Sequence, residues 1–132
     1  MLSFDEAAEY LDEVADSLPL PLSRELNGGI NLLPDEKRSR DVPGMYVLGE
    51  YIKNRQMGRY IVIYYGSFRH VCAGFDDDRF RQRLKDVLIH ELTHHNQSLA
   101  GSRELEIKDA IQKEHYLETG TYIPTKDIDI KT

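Results

Sequence analysis

The chain has 132 residues, of which 40% are hydrophobic and 30% are charged, the balance of a soluble globular protein. This length suits one domain, which we predict over residues 1–132, with a core that needs neither a disulfide nor a structural metal. The formal net charge of −6 argues against a nucleic-acid partner, because phosphate binding relies on clustered lysine and arginine.

The first predicted element is a helix over residues 3–17. Ser3 is placed to cap it, and Glu6 follows three residues later, which completes the pattern of a capping box. Apolar residues recur through the segment at helical spacing. Pro19 and Pro21 then end the helix, because proline removes a backbone donor and clashes with the preceding turn.

Two strands are predicted in the middle of the chain, after a short apolar stretch. Residues 30–33 form a short apolar stretch between turn signals, and residues 45–52 and 60–65 are richer in β-forming side chains. The polar segment at 53–58 separates the last two, so we predict a hairpin. Ser67 follows as the cap of a short helical turn.

Two helices are predicted in the last third of the chain. The first covers residues 76–99, opens on three aspartates and ends at Ala100-Gly101. The second starts at Ser102 as its cap and ends near residue 120. Residues 121–132 are expected to form a weak strand or a loose tail. The order of elements predicts an α+β domain.

The motif that carries chemistry lies in the first of these helices. His90 and His94 are four residues apart, so they lie one turn apart on the same side of a helix. This spacing allows both imidazoles to reach one tetrahedral Zn²⁺ ion. Glu91 follows the first histidine directly, where its carboxylate can take a proton from a water molecule beside the metal.

Helical geometry predicts which way the motif faces. At about 100° per residue, Glu91 falls in the middle of the apolar face formed by Phe80, Leu84, Val87 and Leu88. An unpaired carboxylate is costly on such a face, and a nearby cation would offset that cost.

His95 also falls inward, but its direction differs from that of His94 by about 100°. It cannot easily share the same ion. We therefore predict that it packs in the core or supports the site rather than binding the metal.

Three features bear on location. Cys72 is the single cysteine, so a disulfide scaffold is excluded and a reducing compartment is compatible. The N-terminal residues are acidic and lack the apolar segment of a secretory signal. No run approaches the roughly 18 apolar residues of a membrane-spanning helix. We expect a cytoplasmic protein without a membrane partner.

The sequence His90-Glu-Leu-Thr-His-His95, preceded by a hairpin and the Tyr65-Gly-Ser-Phe68 helix start, resembles the small bacterial zincin-like metallopeptidases, sometimes called mini-zincins. The similarity covers about residues 3–112. It implies a compact α+β scaffold with an N-terminal helix, a short sheet and an active-site helix packed beneath it. It also implies a zinc-dependent peptidase that acts on a peptide or protein.

The family pattern departs from this chain after the second histidine. The family continues with a glycine and then an Asp or Ser, where this chain has Gln97 and Ala100. Allowing two extra residues brings Ser102, a poor zinc ligand, to the acidic position. Zincins of the glutamate type take a third ligand from the next helix, which makes Glu106 our candidate. The alternatives are Asp109, Ser102 and Glu104.

The resulting mechanism has Glu91 as general base to a metal-activated water. Tyr64, Tyr65 and His70 are candidates for stabilising the oxyanion, although each is more often structural. Two alternatives use the same motif. One is a protein-binding module that keeps the fold without useful turnover, and the other is a metal-dependent hydrolase of a non-peptide amide.

Overall fold

The computed structural model describes residues 1–121. The helices are α1 (Phe4–Ser17), α2 (Tyr65–Val71) and α3 (Asp77–Thr119), with a 3-10 turn at Leu20–Ser23; the strands are β1 (Gly29–Leu33), β2 (Gly49–Asn54) and β3 (Gly58–Tyr64). These elements confirm the α+β class. Two compact units divide the chain, Met1–His95 and Asn96–Thr132. The weak strand or tail expected at residues 121–132 lies, beyond Thr121, outside the described residues.

Helix α1 is stabilised at its start by the predicted capping box. The Ser3 hydroxyl accepts from the backbone N–H of Glu6 at 3.2 Å, and the Glu6 carboxylate accepts from the Ser3 N–H at 3.0 Å. Both bonds satisfy donors that have no partner within the helix. The helix ends before the two prolines, with Leu18 as its C-cap.

The three strands form one mixed sheet in the order β1-β3-β2. Strands β2 and β3 pair antiparallel, which confirms the hairpin, while β1 pairs parallel with β3. The stretch at 30–33 is therefore a strand, which turn signals alone did not identify. The strand predicted at residues 45–52 begins later than expected: residues 45–48 precede β2, and Tyr46 forms an isolated bridge with Arg38.

Ser67 does not cap a helix, contrary to the prediction. Helix α2 begins two residues earlier, and Ser67 is fully buried within it. Its hydroxyl accepts from the Lys37 N–H at 2.9 Å and donates to the Lys37 carbonyl at 3.3 Å. Gly66 lies so close to the preceding loop that a Cβ would be 2.7 Å from the Asp35 carbonyl carbon. The serine therefore joins α2 to that loop.

Helix α3 packs against the sheet face that carries Ile61 and Ile63. Asp76 caps it, because its carboxylate accepts from the Arg79 N–H at 2.8 Å. The core of the first unit consists of one cluster drawn mainly from the three helices and β3: Leu2, Ala7, Leu11, Val14, Ile61, Ile63, Phe68, Cys72, Phe80, Leu84, Leu88 and Leu92.

The predicted break at Ala100-Gly101 is wrong, and Ser102 is not a helix cap. Helix α3 is continuous over 43 residues. One glycine costs a helix only about 1 kcal/mol relative to alanine, and no proline stands nearby to remove a backbone donor. The end near Gly120 is confirmed, since Gly120 adopts a positive φ of 72° and its N–H donates to the Tyr116 carbonyl.

The described part of the second unit is the C-terminal portion of α3. It carries several exposed apolar side chains, namely Leu105, Ile107, Tyr116 and Leu117. Lys108 and Glu104 form an ion pair of 3.6 Å along it.

Candidate metal centre

His90, Glu91 and His94 form a cluster on one side of α3. Their ligand atoms all lie within 4.8 Å of one another. The two histidine Nε2 atoms are 3.0 Å apart, and the Glu91 carboxylate lies 4.0 Å from the Nε2 of His90. The helical spacing thus brings the three side chains together as expected from the motif.

Glu91 is the buried member of this cluster. It is 5% exposed, whereas the side chain of His90 is 69% exposed. The inward placement that helical geometry predicts is confirmed. Burial raises the pKa of the Glu91 carboxyl, an effect that attraction to His94 and His90 opposes. The carboxyl therefore holds a proton more readily than an exposed glutamate.

The two histidines fit a zinc ion. Donors at 2.0–2.1 Å from tetrahedral zinc are separated by about 3.3 Å, close to the 3.0 Å between these Nε2 atoms. Both atoms point to one place on the solvent side of the helix, since His90 and His94 are exposed. Imidazole nitrogen and carboxylate oxygen are also donors that zinc accepts in proteins.

A groove of about 510 Å³ opens beside the cluster. One wall is the segment that leads into β2, and the other is a face of α3. The lining residues are Met45, Tyr46, Val47, Leu48 and Gly49 on the first wall and Arg83, Asp86, Val87, His90 and Glu91 on the second. Gly49 makes this approach possible, because a Cβ there would lie 2.8 Å from a Val87 methyl carbon and 3.4 Å from Glu91 Cγ.

His95 is fully buried behind the cluster and connects α3 to the sheet. Its Nε2 lies 2.7 Å from the Arg24 carbonyl, and its Nδ1 lies 2.9 Å from the Tyr51 hydroxyl. A carbonyl only accepts, so Nε2 donates to it, and in that tautomer Nδ1 accepts from the Tyr51 hydroxyl. Arg59 donates to the same tyrosine oxygen at 3.1 Å. The prediction of a core role for His95 is confirmed.

The three oxyanion candidates have other contacts. Tyr64 donates to the Glu50 carboxylate at 2.9 Å, and Tyr65 donates to the Leu2 carbonyl at 2.6 Å. His70 pairs with Glu36 at 2.6 Å and stacks on Tyr46. None of the three lines the groove. Their catalytic role stays a prediction.

Sequence reasoning missed Tyr46 and Arg83, which do line the groove. Tyr46 stood inside a predicted strand, and Arg83 stood in a predicted helix without being part of its motif. Arg83 precedes His90 by seven residues, which is about two turns of the helix. This spacing, which keeps both on one side of the helix, was the available signal.

The predicted third ligand, Glu106, and its alternatives Ser102, Glu104 and Asp109 all belong to the described part of the second unit. They lie in the same continuous helix as the histidines rather than in a separate one. Their role as ligands stays a prediction.

Among residues 1–121, no helix combines the length and the apolar character that crossing a membrane requires.

Comparisons with known proteins identify the family. The fold is similar to the solved structure of a conserved hypothetical protein from Thermus thermophilus, with 30% sequence identity and a TM-score of 0.65. The likeness covers 76% of this chain and 99% of that one. No curated protein sequence gives a significant match. A family model described as zincin-like metallopeptidase matches residues 41–111, more than half of the chain and all of the His-Glu-His cluster. The chain belongs to the zincin-like metallopeptidase family.

Proposed function

We propose that the protein is a zinc-dependent peptidase in which His90 and His94 bind the ion and Glu91 acts as general base. The observation that carries this proposal is the buried carboxylate of Glu91 beside two exposed imidazoles whose Nε2 atoms are 3.0 Å apart. A buried carboxylate is costly without a cation, and the ion would supply one.

The chemistry divides between the ion and the chain. Zinc, when bound, polarises the scissile carbonyl and acidifies water. Glu91 removes the proton from the attacking water and transfers it to the leaving amine.

We propose Glu106 as the third protein ligand, with Asp109, Ser102 and Glu104 as alternatives. Zinc affinity in the variants Glu106→Gln and Asp109→Asn tests the assignment, with Glu114→Gln on the same helix as control.

The edge of the sheet supports a peptide substrate. Strand β2 lies at the edge, and Tyr64 N–H donates to the Leu48 carbonyl directly opposite. Backbone groups alternate along an antiparallel strand, so those of Gly49, Tyr51 and Lys53 point away from β3. An extended peptide could pair with them and pass Glu91, which packs against Gly49.

The test begins with metal content and continues with cleavage. We expect about one zinc per chain after purification without chelator, and zinc-dependent cleavage of a pool of quenched fluorescent peptides. Glu91→Gln should retain zinc and lose roughly 10²–10⁴-fold in kcat, the range for removing a general base. The matched control is Glu114→Gln, a surface change on the same helix.

Three results would contradict this assignment. A zinc content below about a tenth per chain excludes the metal site, in line with a binding module that has no turnover. Undiminished cleavage by Glu91→Gln removes Glu91 as the base. Hydrolysis of small amides without hydrolysis of any peptide would transfer the same chemistry to a non-peptide substrate.

A further inference from the structure

Arg83 is an exposed cation on the wall of the groove that contains His90 and Glu91. Within residues 1–121 its guanidinium has neither a hydrogen bond nor an ion pair with another side chain, and it is exposed. Its neighbours on the helix differ: Arg81 pairs with Asp78 at 3.2 Å, and Arg79 lies 4.0 Å over the ring of Phe75. The donors of Arg83 are therefore available to a ligand in the groove.

The position of Arg83 sets the distance at which such a ligand group would lie. Arg83 precedes His90 by seven residues of helix, an axial separation of about 10 Å. An extended peptide covers that distance in about three residues. If the cleaved bond of a peptide substrate lies beside Glu91, a substrate residue two or three positions from that bond reaches the Arg83 guanidinium.

The groove between the two ends is largely apolar. Val87 faces it from the helix, and Met45, Val47 and Leu48 face it from the opposite segment. Asp86 also lines the groove, and its carboxylate accepts from Gln82 at 2.8 Å. The negative charge of Asp86 repels an anionic substrate group in the part of the groove near His90. A negative group is therefore recognised only at the Arg83 end of the groove.

We propose that Arg83 binds a substrate carboxylate two or three residues from the cleaved bond, with an apolar residue between them. A guanidinium and a carboxylate form paired, charge-assisted hydrogen bonds, the geometry for which arginine is suited. The carboxylate is either the free end of a peptide or an Asp or Glu side chain. Cleavage of such a peptide rests on the function proposed above, whereas its recognition by Arg83 does not.

The test uses four quenched fluorescent hexapeptides that share an apolar residue after the cleavable bond. One ends in a free carboxylate and one in a carboxamide; the other two end in carboxamides and carry Glu or Gln at the third position after the bond. We expect the free-acid or the Glu peptide to exceed its neutral partner about tenfold in kcat/KM. The pair that shows the preference identifies which of the two carboxylates is bound.

Two variants of the same charge change locate the effect. Arg83→Gln should reduce the preference to about one, while Arg81→Gln, a partly exposed position on the same helix, should leave it unchanged. Rising ionic strength should weaken the preference in the unaltered protein, since the contact is exposed. Equal cleavage of charged and neutral peptides, or a preference that survives Arg83→Gln, overturns the assignment of Arg83.

Binding separates this inference from the proposed function. The same peptides, labelled with fluorescein, are titrated against zinc-loaded protein and followed by anisotropy. Preferential binding of the carboxylate peptides that depends on Arg83, without any cleavage, upholds the inference and refutes the peptidase. Cleavage without any preference for the carboxylate peptides upholds the peptidase and refutes the role of Arg83. Absence of both binding and cleavage for all four peptides overturns the inference.

Discussion

Replacing Gly49 with alanine would insert a methyl group between β2 and α3 where the strand passes Glu91. The new carbon would lie 2.8 Å from a Val87 methyl carbon, 3.4 Å from Glu91 Cγ and 3.5 Å from the Val62 carbonyl oxygen. The first contact is roughly 1 Å shorter than a relaxed carbon–carbon contact. Overpacking of this kind costs about 1–3 kcal/mol, and the lower chain entropy of unfolded alanine returns about 0.4–1 kcal/mol. We therefore expect Gly49→Ala to lower the free energy of unfolding by about 1–2 kcal/mol.

Val87→Ala tests whether the clash causes that loss. Removing two half-buried methyl groups alone should cost about 1 kcal/mol. In that background the offending methyl carbon is gone, so Gly49→Ala should be neutral or slightly stabilising. The coupling free energy between the two sites should then be about 1–2 kcal/mol, well above the value for independent sites.

Urea unfolding followed by circular dichroism measures all four proteins of this cycle. EDTA should be present throughout, because metal binding would add its own stabilisation. Gly101→Ala is the control, since no atom lies within 4 Å of a Cβ there and alanine favours a helix. Additive effects of Gly49→Ala and Val87→Ala, within about 0.5 kcal/mol, would refute the close packing of β2 on α3.

Three other predictions concern the metal centre and its support. The raised pKa of Glu91 means that the folded metal-free protein binds a proton on this carboxyl more tightly than the unfolded chain does. The carboxyl therefore costs no stability below its ordinary pKa of 4.5, and it costs more as the pH rises through the pKa of the folded protein. Metal-free Glu91→Gln should therefore exceed the unaltered protein in stability at pH 7 and match it near pH 4, in urea titrations at both values; a constant difference would show that ionisation is not the cause. Zinc should raise the free energy of unfolding by about 2.7 kcal/mol at a hundredfold excess over Kd, and calorimetry should show no such gain for a His90→Ala/His94→Ala protein; equal gains would place the ion elsewhere. Tyr51→Phe leaves Nδ1 of buried His95 without its donor and should lower the free energy of unfolding by about 1–3 kcal/mol. Tyr10→Phe serves as control, because the Tyr10 hydroxyl has no hydrogen-bond partner among residues 1–121. Equal losses of stability in the two variants would argue against the Tyr51–His95 bond.

Local sequence signals predicted those parts of the fold that depend on neighbours along the chain. The capping box at Ser3 and Glu6 needs four residues, and the facing of His90, Glu91 and His94 needs one turn of helix. Both follow from the constant period of an α-helix. The same reasoning failed at Gly101, because a single glycine raises the free energy of a helix too little to end it.

The groove beside Glu91 depends on contacts that no local pattern contains. Gly49 meets Val87 and Glu91 across 38 and 42 positions of the chain, and the parallel pairing of β1 with β3 joins segments about 30 residues apart. His95 likewise finds its two partners on Arg24 and Tyr51. The His90-Glu91-His94 cluster was thus determined by the sequence itself, because its three residues share one helical turn. The walls of the groove, and with them the exposed cation of Arg83, were decided by tertiary packing, because their geometry depends on how the sheet and the helix meet.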